Sequence, residues 1–232
     1  MTLKISDTTR KIFRILGIVL LAGLAACIVK VAIWEYHYYN DKEGEARTLP
    51  VSSETPIYTE EQEADETEVT EEVIREYTVA PDKPRYLSIA KLSTSKARVI
   101  EVAANPGKPM GVPAGIYDVG WARNSGKPGQ GSTLLLDGHN GGPTKAGVFK
   151  RLGILQPGDI ILIERGDGAL FEYEVFDIKV LKVKEADEYM NVLMDSPVPG
   201  RESLSIITCT GEWINSARTY DSRIMLRAVL VQ

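Results

Sequence analysis

The 232-residue chain has few of the residues that build cross-links and metal centres: two cysteines, two histidines and three tryptophans. Two thiols make no disulfide framework. One histidine per region with scattered carboxylates does not make a transition-metal site, which needs three or four clustered ligands. No cofactor is expected, and the carboxylates leave room only for calcium. An excess of charge of one sign is missing as well. The formal net charge is −5, and nothing in its pattern calls for a nucleic-acid partner. Long apolar runs are also absent, with a single exception near the N-terminus.

That exception defines the first segment. Ile15 to Val29 carries no charge, and Val31–Trp34 extends the run past Lys30. As a helix, residues 15–34 span about 30 Å, the thickness of a bilayer core. Lys30 sits near the outer end, where its stem can snorkel, and Trp34, Tyr36, Tyr38 and Tyr39 form an aromatic belt. Residues 1–34 hold five basic side chains and one acid, which keeps residues 1–14 cytoplasmic and exports the rest. A cleaved signal peptide fits less well, because the run is long and no small-residue cleavage site follows. Leu24-Ala25-Ala26-Cys27 is similar to a lipoprotein processing box, but the apolar stretch continues past it, and a buried Cys27 is the preferred reading.

The second segment is acidic. Residues 41–76 hold thirteen acids against Lys42, Arg47 and Arg75. Such a stretch buries too little apolar surface to offset its ordering entropy, so residues 35–83 read as a disordered, self-repelling spacer rather than an inhibitory lid. A short helix over Val69–Tyr77 is a weak signal within it.

From Pro84 the texture changes to short apolar runs between turns. Tyr86–Leu92, Ala97–Val102, Leu134–Leu136, Ile160–Glu164, Phe171–Val183, Leu204–Thr208 and Arg223–Val231 read as strands. Gly166-Asp167-Gly168 signals a hairpin, and Pro157-Gly158-Asp159 and Pro128-Gly129-Gln130-Gly131 are further turns. Helices are expected only over Gly147–Leu152 and Ala186–Met194. Many strands and few helices make residues 84–232 one mainly-β domain, a sandwich or barrel.

Scarcity also locates the chemistry. With Cys27 in the apolar segment, Cys209 is the exported domain's one thiol, in a compartment that oxidises thiols. His37 belongs to the juxtamembrane belt, which leaves His139 as the domain's one imidazole. His139 follows the strand Leu134–Leu136, and Cys209 ends the strand from Leu204. A thiol with an ordinary pKa near ~8.5 is mostly protonated at neutral pH, so a nucleophilic Cys needs a cationic neighbour. Residues alone leave two readings: a Cys–His enzyme, or a membrane-tethered adhesion or scaffold module with an inert thiol.

A family resemblance favours the first. Ser205 to Cys209 (SIITC) resembles the sortase signature Thr-Leu-x-Thr-Cys, with Ser205 and Ile206 in place of Thr and Leu. Asp137-Gly138-His139 is similar to the segment that holds the sortase histidine, and Tyr220–Leu226 (YDSRIML) to the strand that holds its arginine. The order His, Cys, Arg agrees, as do Val119-Gly120-Trp121 with Ser125, Pro128-Gly129, and Gly147–Leu152 leading into Pro157-Gly158-Asp159. The Trp121 and Pro-Gly pattern resembles the class E and class F sortases more than class A. Papain-like proteases run Cys before His, and the Ser-His-Gly-Cys signature of L,D-transpeptidases is absent.

The resemblance implies a closed, mostly antiparallel eight-stranded β-barrel with a membrane anchor. It implies a nucleophile at Cys209, an acid–base at His139 and an oxyanion-binding guanidinium at Arg223, with Arg218 and Arg227 as rivals for that last role. It further implies two partners: exported proteins bearing a C-terminal sorting signal, and an amine acceptor such as a cell-wall precursor or a pilin lysine. Asp137 is expected to face solvent rather than to tune His139.

Overall fold

The computed structural model describes residues 64–104 and 110–231. The expected anchor at 15–34, Cys27 and most of the spacer lie outside the described residues. Among the described residues no helix is long and apolar enough to cross a membrane.

Eight strands close into a barrel. They are β1 (Pro84–Ile89), β2 (Thr94–Val102), β3 (Val119–Ala122), β4 (Thr133–Gly138), β5 (Ile160–Arg165), β6 (Leu170–Lys182), β7 (Ser203–Ile214) and β8 (Thr219–Leu230). Around the barrel the order is β1-β2-β3-β4-β7-β8-β6-β5. The β2/β3 and β4/β7 pairs are parallel and the other six are antiparallel. Two short helices accompany them, α1 (Glu71–Glu76) and α2 (Val183–Met194).

The period of two along each strand divides the side chains between two cores. Leu134 and Leu136 of β4, Leu204 and Ile206 of β7, and Ile224, Leu226 and Ala228 of β8 fill the barrel interior with Trp121, Phe149 and Tyr173. The alternate positions, Leu135, Ile207 and Met225, point outward and are covered by Ala186 and Leu193 of α2, with Val102, Met110 and Ala122. Each fully buried aliphatic or aromatic side chain contributes roughly 1.5–3 kcal/mol against leaving it exposed. The outer cluster therefore holds α2 firmly over β4, β7 and β8. The Ser205 hydroxyl adds a hydrogen bond to the Leu193 carbonyl at 2.7 Å.

Several boundaries differ from the sequence reading. β3 was not expected as a strand; four residues that include a Gly carry too little periodicity, and it forms because β2 and β4 both pair with it. Cys209 does not end its strand, since β7 runs on to Ile214 in a hairpin with β8. Gly147–Leu152 is not a helix but a turn passing into a 3-10 turn at Leu152–Ile154, because its N–H groups bond elsewhere: Phe149 N–H to the His139 carbonyl at 3.0 Å and Val148 N–H to that of Ile116 at 2.8 Å.

Residues 64–83, read as the end of the spacer, lie against the barrel. The Tyr77 hydroxyl donates to the Val99 carbonyl at 2.6 Å, and Arg85 Nε donates to the Tyr77 carbonyl at 2.8 Å. Asp65 bonds the backbone of Ala114 and Ile116. The Glu66 carboxylate accepts from Thr144 N–H at 2.6 Å and Lys145 N–H at 2.8 Å. α1 falls within the weakly signalled Val69–Tyr77 stretch and is capped by the Thr70 hydroxyl. The folded domain thus starts upstream of Pro84; backbone pairing and a few aromatic contacts order a segment too acidic to fold alone.

Candidate active site

The outward-facing row of side chains continues past the hydrophobic cluster into polar residues. On β7, Ile207 is followed two positions on by Cys209; on β8, Met225 is preceded by Arg223; on β4, Leu135 is followed by Asp137, and His139 comes just past the strand's end. Cys209 and Arg223 are direct cross-strand partners, so their side chains leave the sheet on the same face. The last parallel pair of β4 and β7 is Asp137 with Ile207. Two residues further along the chain from each stand His139, just past the end of β4, and Cys209, still within β7. Asp137, His139, Cys209 and Arg223 line one small recess with Val112, Gly138, Ile207 and Thr208.

The structure thus brings together the three residues singled out from sequence, and all three are buried: His139 is 5% exposed, Cys209 9% and Arg223 3%. Of the two rival arginines, Arg218 is exposed in the hairpin turn with φ at 49°. Arg227 is engaged with Asp177, its Nε donating to Oδ1 at 3.0 Å and its Nη2 to Oδ2 at 2.5 Å.

Backbone contacts fix each group. Arg223 Nη1 donates to the Tyr220 and Ser222 carbonyls at 2.8 and 2.9 Å, and Nη2 to the Thr219 hydroxyl at 2.9 Å. The planar fork is thereby held against its own hairpin. On α2, Asp187 faces this guanidinium; burial raises its carboxyl above the usual range, and the Arg223 charge opposes that rise. His139 Nε2 lies 2.7 Å from the Pro113 carbonyl. A carbonyl only accepts, so Nε2 carries a proton and Nδ1 is the acceptor nitrogen of the neutral ring.

The peptide of His139 is also clamped. Its carbonyl accepts from Phe149 N–H, Gly147 N–H bonds the Asn140 carbonyl, and a Cβ on Gly147 would stand 2.3 Å from the His139 oxygen. Glycine at 147 is what lets the returning chain pass so close. The Thr208 hydroxyl donates to the Gly138 carbonyl at 2.8 Å, tying the end of β4 to the strand that carries the thiol.

Sequence reasoning missed Pro113 and misread Asp137, which is not solvent-facing but 1% exposed. The Pro113 contact had no local signal, since it joins segments 26 residues apart. Asp137 had one: it alternates with Leu134 and Leu136 on the same strand, so it shares the outward face with Leu135 at the end that leads into His139. Among the described residues no three His, Cys, Asp or Glu side chains gather in a way that would hold a metal ion.

A barrel rim that sets a thiol beside an imidazole and a guanidinium has the geometry of a cysteine acyl-transfer enzyme. The chain matches the sortase domain over residues 87–231. It belongs to the sortase family, whose members are cysteine transpeptidases. Similar solved structures include the pilus-related sortase C of Group B Streptococcus, at 20% identity over 76% of this chain and 78% of that one, with a TM-score of 0.49. Sortase A of Corynebacterium diphtheriae is 23% identical over 66% of this chain and 61% of that one, with a TM-score of 0.48. Sortase C of Streptococcus pneumoniae is 19% identical over 82% and 84%, again at 0.48. No curated protein sequence matches.

Proposed function

We propose that this chain is a membrane-anchored transpeptidase that cleaves a C-terminal sorting signal of exported proteins and transfers the acyl group to an amine. The observation that carries the reading is the cross-strand pair of Cys209 and Arg223, with His139 in the same recess.

The chemistry follows from those three positions. The Cys209 proton passes to His139, and the thiolate attacks the scissile carbonyl. Arg223, always charged, donates to the oxyanion that forms. Collapse expels the amine, which takes its proton from His139 and leaves a thioester. An incoming amine then attacks the thioester, gives its proton to His139 and releases Cys209 as thiolate. Water in place of that amine gives hydrolysis. The acceptor is a cell-wall precursor amine or a pilin lysine. The membrane reading rests on residues 15–34: the N-terminus is cytoplasmic and the barrel extracellular, with the acidic stretch between them as spacer.

The test uses a fragment from Leu49 to Gln232 and a sorting-signal peptide with an electrophile in place of the scissile bond. Covalent labelling of Cys209 that His139→Ala and Arg223→Ala each suppress supports the enzyme. Labelling indifferent to both substitutions sinks it and leaves a tethered module with an inert thiol.

A further inference from the structure

Asp137 is the one ionisable residue lining the recess that the reaction above does not use. Among the described residues neither of its carboxyl oxygens has a hydrogen-bond partner, although both are fully buried. Leaving a buried carboxyl without donors is costly, and native proteins seldom do so without a reason. The fold also makes room for it. Gly120 lies directly across β3 from Asp137, and a Cβ there would stand 1.9 Å from its Oδ1. Any other residue at 120 would evict the carboxyl. On its other side stands Ile207 of β7, which brings no donor side chain.

The ionisable groups that face Asp137 are few. His139, just past the end of β4, lines the same recess, as do Cys209 of β7 and Arg223 of β8, and Asp187 of α2 faces Arg223. Burial drives the Asp137 carboxyl up to about 8, and the positive form of His139 is the charge that pulls against that rise. The coupling is reciprocal: an anionic Asp137 favours imidazolium on His139 as much as imidazolium favours the anion.

We propose that Asp137 is a positioning residue that acts through His139, its buried carboxylate stabilising the imidazolium and so keeping Cys209 in its thiolate form. The inference rests on the sortase reading of the recess and deepens it. When Asp137 is protonated, the proton shared by Cys209 and His139 stays on sulfur. When Asp137 releases its proton to solvent, the shared proton moves to the imidazole and the thiolate forms. The recess is thereby more reactive on the alkaline side of neutrality. The low stability of a buried lone carboxyl is the counterpart of that gain.

The test is the rate of Cys209 alkylation by iodoacetamide against pH, on the full chain, read by mass spectrometry on the Cys209 peptide so that Cys27 does not interfere. A coupling of one pK unit is tenfold in the population of the ion pair. Asp137→Asn is expected to slow alkylation about tenfold near pH 8, to match the native protein below pH 6, and to converge with it again well above the ordinary thiol pKa of ~8.5, where the thiol ionises without help from His139. In a His139→Ala background the same substitution should have no effect or should accelerate alkylation, because only the repulsion between carboxylate and thiolate is then removed. Superimposable curves for the native protein and Asp137→Asn overturn the proposal. An equal loss with and without His139 also overturns it and makes Asp137 a packing residue. If His139→Ala leaves the native alkylation curve unchanged, the enzyme reading itself fails, and this inference fails with it.

Discussion

Cys209 of β7 and Arg223 of β8 are directly opposed across an antiparallel pair, and both side chains are buried on the outer face of the barrel. The thiol therefore meets a guanidinium whose fork is fixed by the Tyr220 and Ser222 carbonyls and the Thr219 hydroxyl. That arrangement predicts a graded response to substitution. Cys209→Ala abolishes transfer. Arg223→Ala lowers kcat by about 10²–10³, the usual loss for an oxyanion donor. Arg223→Lys does not rescue it, because an ammonium cannot keep the backbone bonds and still reach the oxyanion. Arg218→Ala leaves kcat near native. Steady-state cleavage of a sorting-signal peptide ranks these variants, and an Arg218→Ala loss as large as that of Arg223→Ala would reassign the guanidinium.

Asp137 makes stability depend on pH in an unusual direction. Its folded-state pKa is raised to about 8 from 3.8 by burial. Between those values the unfolded chain releases the proton while the folded chain keeps it, so the unfolded state binds fewer protons and stability falls as pH rises. The destabilisation is complete above about pH 8 and vanishes below about pH 4. Asp137→Asn, which cannot ionise, is therefore expected to melt above the native protein at pH 8. The difference should close on acidification to pH 4, as followed by circular dichroism. A constant offset across that range would mean that the carboxyl does not change its protonation on folding.

Glu202 is a buried structural carboxylate. It accepts from Gly129 N–H at 2.9 Å, Gly131 N–H at 2.7 Å and the Tyr173 hydroxyl at 2.6 Å, and so closes the Pro128–Gly131 turn over the strand ends. Glu202→Ala leaves these donors without an acceptor and should cost about 2–5 kcal/mol, whereas Tyr173→Phe removes one bond and should cost about 1 kcal/mol. Urea unfolding with an unchanged m-value checks both figures.

The 64–83 segment is expected to hold the loop that follows His139. Glu66 bonds Thr144 and Lys145, and Asp65 pairs with the strip that includes Pro113's neighbours Ala114 and Ile116. A fragment starting at Pro84 should melt lower than one starting at Leu49. Its amides at 141–149 should exchange faster with deuterium, and Glu66→Ala in the longer fragment should reproduce the local exchange without most of the loss in melting temperature. Equal protection in all three would show that the segment only rests on the surface.

Some of this was legible in the residues. The strands β5, β6 and β8 show in runs of Ile, Val, Leu and aromatics long enough to exceed the noise of turns. The pairing of His139 with Cys209 as candidates followed from scarcity, and Arg223 followed from the resemblance of its strand. β3 was not legible as a strand, because Val119–Ala122 gains its pairing from β2 and β4 rather than from its own pattern. The ordered end of the acidic stretch was not legible either, since Tyr77 is held by a carbonyl 22 residues away.

The sequence by itself determined the family, the mainly-β class and which thiol, imidazole and guanidinium to watch, because those depend on residue type and local order. Only the tertiary structure decided that the three line one recess, that Arg223 rather than Arg218 stands across from Cys209, and that Asp137 is enclosed. Register and burial depend on which strand lies alongside which, and a parallel pair such as β4 and β7 joins residues about seventy positions apart.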